Sequence, residues 1–223
     1  MTETHLKIIF EDEWLIAIDK PAGMLVHPGK EVEPDDRIAL KSVRNYLNQY
    51  VYIVHRLDRP TSGVLIFTKD KPTQSKLSVL FQNWEVKKQY FAVVVGESKM
   101  SDHIDLPVKR DEESEAMPSL THYSQVSYVP SGTMADSSFS LLEVNPHTGR
   151  FHQIRRHLAW NSLPILGDYL YGDIDQNNSL AEQTDVKRMM LMSNSIEFTH
   201  PVTGNRLKIE TDIPAEFRKF KIQ

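Results

Sequence analysis

Cysteine is absent from all 223 residues, and that one gap removes disulfides, thiolate metal sites and a cysteine nucleophile together. The absence fits a reducing compartment. No apolar run approaches the length needed to cross a bilayer. Met1 to Lys7 has neither an apolar signal core nor the basic character of a transit segment, so a cytoplasmic protein with no membrane attachment is expected. There is no G-x-G-x-x-G, no P-loop and no H-E-x-x-H, so nothing marks a nucleotide cofactor or a metalloprotease. What remains, 40% hydrophobic and 25% charged residues, is the composition of an ordinary globular protein.

A formal net charge of -4 argues against a phosphate-backbone partner, because such binders are usually basic. The argument weakens when charge is segregated, as it is here. Acid gathers in Glu31-Val32-Glu33-Pro34-Asp35-Asp36 and in Asp111-Glu112-Glu113-Ser114-Glu115, both of which read as solvated loops. Base gathers at Arg56 and Arg59, Lys69 and Lys71, Lys87-Lys88, and Arg150 through Arg156.

The chain opens with strand-like runs at Lys7 to Phe10, Trp14 to Asp19 and Met24 to His27, separated by turns. Helix spacing follows over Ile38 to Tyr50 and Ser75 to Trp84. Strands are expected at Tyr90 to Val95, Thr121 to Tyr128, Phe139 to Val144, Arg188 to Met192, Ser195 to Phe198 and Arg206 to Glu210. Helices are expected at Phe151 to Trp160 and Ala215 to Phe220. No linker or repeat divides the chain. The expectation is a single α+β domain over 1–223, on a mostly antiparallel mixed sheet flanked by helices and loops, with a strand-and-loop insertion at about 98–138.

Two stretches stand apart. In His55-Arg56-Leu57-Asp58-Arg59-Pro60-Thr61-Ser62-Gly63, an acid sits between two arginines, on a turn joining the runs Val51 to Val54 and Val64 to Phe67. Guanidiniums beside a carboxylate favour its charged form, which suits a fixed negative charge or a nucleophile, and equally a structural ion pair. In Thr148-Gly149-Arg150-Phe151-His152-Gln153-Ile154-Arg155-Arg156-His157, a turn leads into a helix. There His152, Arg155 and Arg156 are spaced to share a face. Arginines at a helix start suit phosphate, and a solvated basic face is the plainer alternative.

Together these stretches resemble the two signature motifs of the RluA-type pseudouridine synthases, and the likeness runs from near Ile8 to Thr203-Gly204. Within that family the chain most resembles the tRNA pseudouridine synthase C branch, through Arg59-Pro60, Thr121-His122-Tyr123, Arg155-Arg156-His157-Leu158 and Thr199-His200-Pro201-Val202-Thr203-Gly204. The resemblance implies an isomerase that detaches uracil from its ribose, rotates it and rejoins it through carbon. It implies no cofactor and no metal, and a substrate uridine in tRNA of the uridine-65 type. Asp58 matches the family's essential aspartate, Arg155 the arginine paired with it, and Tyr90 the aromatic that stacks on the target uracil and can take a proton from it. Arg56 matches the residue that fills the space of a flipped-out base, and Leu191 an apolar wall of the pocket. His55, Lys88 and Arg150 are further candidates for substrate contact, with solvated charge the alternative for Lys88 and Arg150. Extruding a base costs a few kcal/mol, and stacking it on a ring returns roughly 1–3 kcal/mol.

Each of these residues has a plainer explanation. Tyr90 and Leu191 taken alone read as core, and Asp58 with an arginine reads as an ion pair. His55, His147, His152 and His157 lack the carboxylates or cysteines that a zinc site needs at ligand spacing. The chain departs from the family at Met192, where many relatives carry histidine. It also starts directly with catalytic-domain strands, without an N-terminal RNA-binding module, which favours a compact RNA such as tRNA over ribosomal RNA. A monomer with no protein partner is expected. Two competing functions are a catalytically silent RNA-binding or RNA-folding module and a ribonuclease using His55 and His152.

Overall fold

The computed structural model describes residues 6–28 and 36–221, and these fall into two compact units. The first comprises 1–87 and 193–211, the second 88–192 and 212–223. The acidic run at 31–35 lies outside the described residues. Asp36, which closes that run, is no solvated loop acid: its side chain is 6% exposed and bound to Arg59 at 2.6 Å.

In the first unit the strands are β1 (Ile8–Glu11), β2 (Leu15–Lys20), β3 (Tyr52–Ile53) and β4 (Ser62–Thr68). The sheet runs β1-β2-β4 and then β9, a strand spanning Leu191–Thr199 whose residues from Ser193 belong to this unit. β10 (Arg206–Glu210) pairs antiparallel with β9, as β1 does with β2, β2 with β4, and β3 with β4. All seven residues of β4 are buried, with Val64 and Ile66 in a cluster that includes Leu15, Leu77, Ile196 and Phe198. Helix α1 (Ala39–Leu47) ends at Asn48 in the left-handed conformation. Helix α2 (Lys71–Gln82) begins four residues before its apolar pattern does, because Asp70 caps the Thr73 amide at 2.7 Å and Pro72 occupies the first turn. The segment at Met24 to His27 is not a strand; it makes one parallel bridge, Leu25 to Ile38.

In the second unit the strands are β5 (Lys87–Val95), β6 (Ser101–Asp105), β7 (Leu120–Val129) and β8 (Phe139–Pro146), in the order β5-β8-β7-β6 with antiparallel pairing throughout. Its helices are α3 (Gln153–Trp160), α4 (Ile174–Thr184) and α5 (Ala215–Arg218). Their apolar faces join Phe139, Leu142, Met190 and Leu191 in one core. β9 is one strand, not two: Arg188 to Met190 lead into it. β6 and α4 have no counterpart in the sequence expectation. The buried side of α4 carries Asn177 beside Leu180, so it shows no apolar stripe.

A buried polar chain joins α3 to β7. His157 is fully buried, with Nδ1 2.9 Å from Thr121 Oγ1 and Nε2 2.8 Å from the Leu106 carbonyl. The carbonyl can only accept, so Nε2 carries a proton. Burial holds its pKa below the ordinary 6.5. The unfolded chain therefore takes up a proton near pH 6.5 that the folded imidazole refuses. This contribution to stability is intact above that pH and lost as pH falls. Denaturant unfolding between about pH 8 and pH 5 should show wild type losing up to about 1.4 kcal/mol per pH unit more than His157→Asn in the acid range.

Candidate active site

The turn bearing Asp58 is held from below by a lysine. Ile16, Ile18 and Lys20 share one face of β2 and all are fully buried. The Lys20 ammonium donates to the carbonyls of Pro21 (3.1 Å), Met24 (2.8 Å) and Arg59 (3.2 Å). The Arg59 carbonyl also accepts the Gly23 amide at 2.8 Å, and its Nε returns a bond to the Gly23 carbonyl at 3.2 Å. The Lys20-Pro21-Ala22-Gly23 turn is thereby tied to the residue after Asp58. Arg59 spends its charge on Asp36, so it serves the scaffold. Asp58 is half-buried, and its carbonyl accepts the Thr61 amide across the turn at 3.1 Å.

Gly63 shows why the motif needs its glycine. At φ +106 a side chain is strained, and a Cβ there would collide with the Ser193 carbonyl, so β4 and β9 approach more closely than any other residue allows. His55 points inward: its Nε2 accepts the Ile66 amide at 3.0 Å and its ring lies flat on Phe81. An imidazole with Nε2 so engaged is a brace for the turn and a poor proton shuttle at that nitrogen. Arg56 is the opposite case. It is exposed and, among the described residues, has no hydrogen-bonding or ionic partner.

In the second unit, Lys88 and Tyr90 project from the same side of β5, two residues apart, and both are half-buried. Tyr90 packs against the core cluster that contains Leu191, itself 3% exposed. Lys88 Nζ donates to the Thr148 carbonyl at 2.8 Å, which brings the basic residue of β5 to the Thr148-Gly149-Arg150 turn. Burial lowers its pKa to about 8. That turn is built around Gln153, which is 4% exposed. Its Oε1 accepts from Thr148 Oγ1 (2.6 Å) and the Arg150 amide (3.0 Å), and its Nε2 donates to the Leu120 carbonyl (3.0 Å) and Thr121 Oγ1 (2.9 Å). Every polar valence of the amide is used. The Arg150 side chain lies along Pro118, donating to its carbonyl at 3.3 Å.

The expected common face of His152, Arg155 and Arg156 does not form, because His152 caps α3 in the left-handed conformation, before the helix. Arg155 is buried, and its fork closes on Asp168 with Nε–Oδ2 at 2.7 Å and Nη2–Oδ1 at 2.8 Å. Asp168 is 1% exposed and also accepts the amides of Leu170 and Tyr171. Arg156 and His152 meet instead at the Tyr171 hydroxyl, at 2.8 and 2.9 Å. Lys20, Gln153, Asp168 and Tyr171 escaped the sequence reading. Lys20 had a usable signal, since it continues the inward period of Ile16 and Ile18. Asp168 lies between Gly167 and Gly172 with no charged partner nearby in sequence, so only the fold reveals its role. Among the described residues, no group of three or more histidines and acids is placed to hold a metal ion.

The family model for RNA pseudouridylate synthase matches residues 14–160. The chain belongs to the RNA pseudouridylate synthase family. It is 39% identical over 218 residues to tRNA pseudouridine synthase C of Haemophilus ducreyi, covering 92% of this chain and 90% of that one. It is 36% identical over 222 residues to the protein of the same name from Salmonella typhimurium, covering 93% and 85%. The fold matches human RNA pseudouridylate synthase domain containing 1 with a TM-score of 0.77 at 22% identity, over 94% of this chain and 84% of that one. The α+β pseudouridine synthase fold expected from the motifs is therefore the one observed. This member of the family is an isomerase acting on RNA, and the silent module and the ribonuclease give way to it.

Removing the Asp168 carboxylate takes from the buried Arg155 its bidentate partner. Asp168→Ala should cost about 3–5 kcal/mol of stability, read by denaturant unfolding. A loss below about 1 kcal/mol would mean that the pair does not carry the turn.

Proposed function

We propose that this pseudouridine synthase isomerises a uridine in tRNA, as a cytoplasmic monomer, with Asp58 as the catalytic carboxylate. In this reading Arg155 acts with Asp58, Tyr90 stacks on the target uracil, and Arg56 occupies the space that the uracil vacates. Leu191 supplies apolar wall, while Lys88 and Arg150 meet the RNA backbone. One observation carries the reading: relatives matching almost end to end bear the name tRNA pseudouridine synthase C. An exposed arginine with no hydrogen-bonding or ionic partner among the described residues also suits a finger that orders on contact with RNA. The described residues contain no helix long and apolar enough to cross a membrane.

Asp58→Ala should abolish pseudouridine formation while leaving tRNA affinity within a few-fold of wild type. Mapping carbodiimide-reactive uridines in total RNA with and without the gene should show one tRNA signal lost. Loss confined to ribosomal RNA would transfer the activity there.

Lys88 gives the reading a pH signature. Its charge disappears as pH rises through about 8, whereas an exposed lysine keeps its charge past pH 9. Affinity for tRNA should therefore weaken between about pH 7 and pH 9. Lys88→Arg, whose charge persists, should flatten that profile.

A further inference from the structure

Phe151 sits in the turn entering α3 with 38% of its surface exposed. A single exposed apolar side chain is ordinary, but the way this one is held is not. The His152 ring lies against it, centroids 3.7 Å apart and 20° from parallel. His152 has φ +53, a left-handed backbone that costs a non-glycine residue about 1 kcal/mol or more. The Tyr171 hydroxyl accepts from Arg156 Nε at 2.8 Å and is hydrogen-bonded to His152 Nδ1 at 2.9 Å. The Arg156 guanidinium carbon lies 5.5 Å from the centroids of both Phe151 and Tyr171, and a second bond from Arg156 reaches the Lys109 carbonyl.

The result is a phenyl ring backed by an imidazole whose tilt is already set, in a turn that also carries Arg150 and receives Lys88. A protein partner would call for a contiguous apolar patch. Along the turn its chain neighbours are exposed His147 and Gly149, with half-buried Arg150 and Arg156. An aromatic face set among cations is the chemistry that binds single-stranded nucleic acid, where rings take bases and cations take the backbone. Strained backbone held by such a network is also the pattern found at working sites.

We propose that Phe151 is a stacking platform for an unpaired nucleobase of the RNA substrate, a base other than the target uridine, with Arg150 and Arg156 supplying the positive field for its phosphates. The proposal rests on the RNA reading above. It adds a second point of base contact, which sets how the substrate lies on the second unit.

The test compares Phe151→Ala, Phe151→Leu and Phe151→Trp in binding an unmodified tRNA transcript across a range of salt. The Ala and Leu variants should both bind about tenfold more weakly, and Trp should match wild type. The slope of log Kd against log salt should be the same in all four proteins, because no phosphate contact is lost. Turnover at saturating tRNA should stay near the wild-type value. Wild-type affinity in the Ala variant, or in Leu, where bulk remains without a π-face, would overturn the stack, and so would a changed salt slope. Product formation by the wild type reports separately on the tRNA reading: tight binding without pseudouridine would defeat that reading and leave the stacking result standing.

Discussion

A fully buried ammonium is the constraint on which the Asp58 turn depends. Lys20 has three N–H donors, and the carbonyls of Pro21, Met24 and Arg59 converge on them. A charge cannot remain in an apolar interior without such compensation. Among the described residues Lys20 is the donor to the Met24 carbonyl, and without it that inward-turned oxygen would lose its partner. Donor and acceptors therefore require each other, and that mutual need fixes two turns that lie 39 positions apart in the chain. Arg59 then locks the arrangement from outside through Gly23 and Asp36. The placement of Asp58 is in this sense inherited from a lysine buried beneath its turn.

The second unit reaches the same end with neutral groups. Gln153 satisfies two acceptors and two donors around the Thr148 turn, and Thr121 passes the chain on to His157. Asp168 does for Arg155 what the carbonyls do for Lys20, and it is itself positioned by tight backbone contact. Gly167 has φ +78, and a Cβ there would strike the Arg188 carbonyl. Asp58, through its neighbour Arg59, and Arg155 thus each stand on a buried polar knot whose members come from separate parts of the chain. Such knots are costly when half made, which makes the local geometry all-or-none.

Periodicity revealed most of the strands and helices, because β4, β5 and β8 bury nearly continuous apolar runs that read as strands from sequence alone. It failed at α4, whose inward Asn177 binds the Gly167 amide and the Asp168 carbonyl instead of filling an apolar stripe. It also failed at His152, where spacing implied a helical face and the backbone turns left-handed. At the site, residue types and order were legible in the two motifs. Two partnerships were not: Arg59 looked like a partner for Asp58 and is bound to Asp36, and Asp168 was invisible beside Arg155. Ion pairs made across long loops leave no trace in local spacing, whereas capping and turn chemistry do, as Asp70 and Gly63 illustrate.

Two of the motif arginines, Arg155 and Arg56, are held in opposite ways. Arg155 is ordered before any RNA arrives, its fork committed to Asp168 and its guanidinium carbon 5.0 Å from the Tyr171 ring centroid. A group in that state can act on a neighbouring charge with no further loss of freedom. Arg56 is exposed, and an arginine side chain carries about 2 kcal/mol of rotamer entropy that it surrenders only when it orders. In the proposed role that loss falls at the moment a base leaves its stack, and the contacts Arg56 then makes must offset both costs. In that proposed role a correctly shaped RNA would supply those contacts and an incorrect one would not, so the freedom of Arg56 would become a source of discrimination.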